Sequence, residues 1–143
     1  MRLLGIDFGT KRIGLAVCDE LGFTTRGLTV IHRRGGRADV EAVCRVAREQ
    51  DVEALVMGLP LNMDGSEGRM ARLVREFSAK LESELDLPLH LWDERLTSWE
   101  AEGILRQSTK ARKRKRADGA VDKLAAELIL QSYLDANPSK ETS

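Results

Sequence analysis

The sequence predicts an α/β fold: a five-stranded mixed sheet, three antiparallel strands followed by a parallel extension, flanked by helices. Three observations carry this expectation. Three apolar segments follow one another before Arg33, separated by polar or glycine turns, as hairpin-connected strands are. From Ala38 the apolar period becomes helical, and helix-like and strand-like segments then alternate, which implies right-handed parallel crossovers. The chain has 143 residues, 42% hydrophobic and 32% charged, enough for one buried core and too apolar for disorder.

The elements follow in order. Met1 to Ile6 reads as a short apolar strand running into Asp7-Phe8-Gly9-Thr10. Alternation places Leu3, Gly5 and Asp7 on one face and Leu4, Ile6 and Phe8 on the other, as for a central strand covered on both sides. Ile13 to Cys18 is a second strand and Phe23 to Ile31 a third. Val40, Val43, Cys44 and Ala47 then mark a helix. Val52 to Met57 is a fourth strand, ended by Gly58-Leu59-Pro60. A loop leads to an amphipathic helix carrying Met70, Leu73, Val74, Phe77, Leu81 and Leu85, with Ser66 expected as its N-cap. Pro88 to Trp92 is the fifth strand, Ser98 to Leu105 a further helix, and Ala120 to Leu134 the last. Residues 1–137 are expected to form one domain, with 138–143 a frayed tail.

Formal net charge is zero, from 23 basic and 23 acidic residues, but much of the positive charge lies in one late segment. A neutral total therefore leaves room for a polyanionic partner. No apolar stretch reaches bilayer-spanning length and the N-terminus has no signal-peptide pattern, so a cytoplasmic location without membrane contact is expected. Cys18 and Cys44 form no CxxC and have no histidine at ligand spacing; small core roles are expected for both.

Three acids stand out. Asp7 ends a buried strand, where an ionised carboxylate is costly without a partner. Glu94 lies just past the fifth strand, and parallel crossovers bring such strand ends together. Asp122 shares a helical face with Ala125, Ala126 and Ile129, a face otherwise apolar. Asp93 rivals Glu94, and an ordinary first-turn acid is the simpler reading of Asp122. Converging carboxylates without His or Cys are hard oxygen ligands, suited to Mg²⁺ or Mn²⁺. A two-ion phosphoryl-transfer centre, with ions about 3.5–4 Å apart, would activate water at one ion and stabilise the leaving 3′ oxygen at the other.

Beside these acids the sequence sets Lys110-Ala111-Arg112-Lys113-Arg114-Lys115-Arg116. A charge run is usually a solvated loop, but this one immediately precedes the helix bearing Asp122. The expected nucleic-acid contacts are Lys11, Arg12, Asn62, Arg95, Lys110, Arg112, Lys113, Arg114, Lys115 and Arg116, gripping phosphates without reading sequence. Trp92 is expected in the core, and Trp99 either packs or stacks on a base.

Four segments carry a family resemblance: Gly5-Ile6-Asp7-Phe8-Gly9-Thr10-Lys11-Arg12-Ile13-Gly14-Leu15-Ala16; Gly58-Leu59-Pro60; Asp93-Glu94-Arg95-Leu96-Thr97; and Val121-Asp122-Lys123-Leu124-Ala125-Ala126 through Ile129-Leu130-Gln131. In order and spacing they resemble the YqgF/RuvX family. The resemblance implies a ribonuclease H-like fold, Holliday-junction resolution and maturation of the 5′ end of the pre-16S ribosomal RNA. It implies metal-binding catalytic acids at Asp7, Glu94 and Asp122. Ala117-Asp118-Gly119 departs from the pattern and leaves Asp118 as a competitor to Asp122. The expected function is thus a divalent-metal-dependent endonuclease acting on branched DNA or precursor ribosomal RNA, with a homodimer implied if junctions are cut symmetrically. Two alternatives stand beside it: a nucleic-acid-binding module without catalysis, and an actin- or Hsp70-like nucleotide-binding protein, suggested by Asp7-Phe8-Gly9-Thr10.

Overall fold

A computed structural model describes residues 1–22, 24–97 and 120–137. Phe23, the expected helix from Ser98, Trp99, the basic run from Lys110 to Arg116, Asp118 and the expected tail lie outside the described residues. The strands are β1 (Leu3–Phe8), β2 (Arg12–Cys18), β3 (Thr25–His32), β4 (Ala54–Leu59) and β5 (Leu89–Asp93). The helices are α1 (Gly36–Glu49), α2 (Arg69–Leu85) and α3 (Ala120–Ala136), with a 3₁₀ turn at Glu94–Leu96.

The sheet order is β3-β2-β1-β4-β5. β1 pairs antiparallel with β2 and parallel with β4, and β4 pairs parallel with β5. This is the mixed sheet that the alternation of strands and helices predicts.

The two faces of β1 meet different helices. Leu4, Ile6 and Phe8 join Ile13, Leu15, Val17, Leu55, Met57 and Leu59 in one core cluster, closed by Val40, Val43, Cys44 and Ala47 of α1 and Ala71, Val74, Phe77 and Leu81 of α2. Leu3, Cys18, Ala54 and Val56 form the other, closed by Ile129 and Leu130 of α3. Both cysteines are buried and free, as small core residues.

α3 can lie this close because the strands beneath it carry glycine. A Cβ on Gly5 would stand 2.9 Å from the Ala126 carbonyl oxygen, and one on Gly27 2.9 Å from Lys123 Cβ. A Cβ on Gly14 would overlap the Asp122 carbonyl oxygen, and one on Gly58 would stand 2.7 Å from Ile129 Cδ1. Glu127 also accepts a hydrogen bond from the Gly27 N–H. The glycine track sets the depth of α3, and with it the position of Asp122.

Two local expectations are corrected. β4 runs through Gly58 and Leu59 instead of ending before them, because both pair with β5, opposite Trp92 and Asp93. Ser66 is not the N-cap of α2, which is Gly68. Its N–H and hydroxyl both donate to Asp64 Oδ1, at 2.9 and 2.6 Å, inside the preceding loop. Trp92, expected in the core, is half-buried; its indole N–H donates to Ser132 Oγ at 2.9 Å.

Gly14→Ala tests the close approach. Backbone overlap cannot relax as a flexible side chain can, so equilibrium unfolding should show a loss of about 1–3 kcal/mol. An unchanged denaturation midpoint would contradict the packing described.

Candidate active site

Asp7 is the penultimate residue of β1 and lies on the α3 face, with Leu3 and Gly5. Its surroundings push its carboxyl from 3.8 up to about 7. Burial is the largest cause, followed by the negative charges of Glu94 and of Asp122. Acids from the first strand, from the turn after the fifth and from the last helix therefore act on one another electrostatically.

Glu94 opens the 3₁₀ turn, and its carboxylate leans over Gly58: a Cβ there would stand 2.5 Å from Glu94 Oε1. Burial, and then the neighbouring Asp93, raise its pKa. Asp93 is different. It accepts from Arg95 Nη2 at 2.8 Å, from Arg95 Nε at 3.1 Å and from the Arg95 N–H at 2.9 Å, chiefly through the side-chain bond, and these hold it below the usual carboxylate range. Its charge is already matched and it caps the turn. Of the two rivals, Glu94 is the one that acts on Asp7.

Asp122 lies in the first turn of α3. Its Oδ2 is 3.1 Å from Arg12 Nε, yet this buried oxygen accepts no well-oriented hydrogen bond. The donor set, three carboxylates of which two have raised pKa values, is of the chemical type that suits a hard divalent cation. Among the described residues no group of three or more His, Cys, Asp or Glu side chains stands close enough together to hold a metal ion.

The expected nucleic-acid contacts are spread unevenly. Lys11 is exposed in the β1–β2 turn and Arg12 opens β2. Asn62 is exposed and its amide donates to Ser66 Oγ at 3.0 Å. Arg95 is bound to Asp93 and reaches the Met63 carbonyl at 3.3 Å. Lys110, Arg112, Lys113, Arg114, Lys115 and Arg116 lie outside the described residues.

Arg33 and Asp39 form a further polar cluster that no periodic pattern in the sequence marks. Asp39 is 2% exposed, in the first turn of α1, and accepts from the N–H groups of Arg34 and Gly35 and from Arg33 Nε. Burial alone would raise its pKa; these bonds outweigh it and hold the group low. An acid following a glycine pair at a helix start was the available signal.

Residues 1–136 match the family model described as RuvX: Holliday junction resolvase. The chain belongs to the RuvX family. Over 136 residues it is 50% identical to a protein of Syntrophus aciditrophicus (strain SB) named as a candidate pre-16S rRNA nuclease, covering 95% of this chain and 89% of that one. A relative from Anaeromyxobacter dehalogenans (strain 2CP-C), named in the same words, is 50% identical over 135 residues, covering 94% and 97%. Among solved structures, Thermus thermophilus RuvC in complex with Holliday junction substrate aligns with a TM-score of 0.57 at 18% identity, covering 98% of each chain. This RuvX chain shares the ribonuclease H-like resolvase fold. Membership makes it a nuclease, a hydrolase of phosphodiester bonds, and sets aside the binding-module and nucleotide-binding readings.

The raised pKa of Asp7 carries a stability consequence. The folded state holds a proton that the unfolded state releases near pH 3.8, so this contribution is complete below that pH and is lost as pH rises toward 7. Asp7→Asn escapes the loss. Without divalent cations, the variant's advantage over wild type should grow by about 3 kcal/mol between about pH 5 and pH 8, measured by equilibrium unfolding. An advantage independent of pH would contradict the crowding of charge at Asp7.

Proposed function

We propose that this RuvX protein is an endonuclease that cuts structured nucleic acid with Mg²⁺ or Mn²⁺ held by Asp7, Glu94 and Asp122. The observation that carries the reading is the elevation of Asp7 to about 7 by burial and by the two other acids. Such a cluster repels itself unless a cation joins it, and so favours cation binding over an empty state. When bound, the cation supplies positive charge to the scissile phosphate and acidity to the attacking water. Asp7 and Glu94 would hold it from the strand ends, and Asp122 from α3. Arg12 balances the charge of Asp122. Lys11 and the run from Lys110 to Arg116 hold the phosphate backbone without base contacts.

The two relatives at 50% identity support precursor 16S ribosomal RNA as the substrate. The family description and the shared resolvase fold support a second reading, the four-way DNA junction. The second requires a homodimer, because paired cuts across a two-fold junction need two sites.

Both substrates, offered with Mg²⁺ or Mn²⁺ to wild type and Asp7→Asn, test the assignment. Asp7→Asn should cut neither and should still bind the uncut nucleic acid. Equal cleavage by the two proteins would refute the role of Asp7. Replacing Arg112, Lys113, Arg114 and Lys115 with Ala should weaken binding across sequences and flatten its salt dependence. Unchanged affinity would remove the basic run from the binding surface.

A further inference from the structure

We infer that Arg33 is a positioning residue that fixes the turn joining Asp7 to Arg12, and so sets the geometry of the acid site from a neighbouring strand end. Its kinetic consequence rests on the endonuclease reading; its structural consequence does not.

Arg33 spends its donors on one short segment. Nη1 donates to the Gly9 carbonyl at 3.1 Å and to the Thr10 carbonyl at 3.3 Å, and the backbone N–H donates to the Lys11 carbonyl at 2.9 Å. Three successive carbonyls of the β1–β2 turn are thus gathered by one residue. The Gly9 N–H closes the turn on the Arg12 carbonyl at 2.9 Å.

The guanidinium is itself held from two sides. Nε lies 3.1 Å from Asp39 Oδ2, and Cζ sits 4.4 Å from the centroid of the Phe8 ring. Phe8 follows Asp7 directly, so the plate on which Arg33 rests is part of the strand end that presents the acid.

The arrangement has a direction. Asp39 fixes Arg33, Arg33 fixes the carbonyls of Gly9, Thr10 and Lys11, and that turn connects the acid of β1 to the arginine that pairs with Asp122. Only a planar fork can meet a carboxylate, two carbonyls and an aromatic face together; an ammonium cannot. Arg33 touches no acid of the candidate site, so it acts through the turn.

The test compares wild type with Arg33→Lys, which keeps a cation beside Asp39, and with Asp39→Asn, which keeps the guanidinium but removes its charged partner. Amide hydrogen exchange at Gly9 and at residue 33 is measured without metal or nucleic acid. Cleavage of precursor ribosomal RNA and of a four-way junction is measured with Mg²⁺. Both variants should remain folded, with exchange at these two amides about tenfold faster and amides of β4 and α2 unchanged. kcat should fall between about tenfold and 10²-fold, with KM within about threefold. The double variant should lose no more than the worse single one.

Exchange at the wild-type rate in Arg33→Lys overturns the inference, whatever the activity. Faster exchange with unchanged kcat overturns the link to the site. A uniform rise in exchange across the molecule reduces Arg33 to a general stabilising role and also overturns it. If wild type cuts neither substrate, the proposed function fails separately, while exchange at the two amides still decides whether Arg33 fixes the turn.

Discussion

Negative charge at Asp7 has too little to balance it, and much of the surrounding structure follows from that. A carboxylate at a strand end, crowded by two more and shielded from water, is only about half-ionised at pH 7 instead of almost fully ionised. A protein selected only for stability would place an apolar residue there, as it does at Leu3 on the same face. Retaining the acid makes sense when something positive arrives.

The scaffold exists to hold that crowding in place. Each acid belongs to a different element, so their spacing depends on how the sheet and α3 pack. Glycines at positions 5, 14, 27 and 58 let the helix backbone approach the sheet, and the missing side chain at Gly58 also makes room for Glu94. A helix standing off by the width of a methyl group would carry Asp122 away from Asp7. The same glycines that a propensity argument counts as weak strand residues are the ones that fit the helix. Behind the site, the α1–α2 face supplies an apolar core against the central strand β1.

The fold was largely readable in the sequence because burial leaves a periodic trace. The alternation of Leu4, Ile6 and Phe8 and the spacing of Val74, Phe77 and Leu81 say directly which side faces inward. Asp7 and Glu94 were readable as acids at strand ends, and Asp122 as the one charge on an apolar stripe. What periodicity does not encode is pairing between polar groups. Whether Asp93 or Glu94 turns inward is decided by Arg95, which claims Asp93. Ser66 is of N-cap type but does not cap α2, because Asp64 takes its N–H and hydroxyl. β4 continues through Gly58, although glycine normally weakens a strand, because both the ladder to β5 and the helix above favour it. Arg33 carried no periodic signal at all; its partners are carbonyls two strands' length away in sequence, visible only after folding.

Diffraction from crystals soaked in Mn²⁺, with data collected at the manganese absorption edge, tests most directly whether the acids around Asp7 take a cation. An anomalous peak in contact with the carboxylates of Asp7 and Glu94, absent from crystals of Asp7→Asn treated the same way, is the expected result. Manganese found only elsewhere on the surface, or equally at this place in Asp7→Asn, would contradict it.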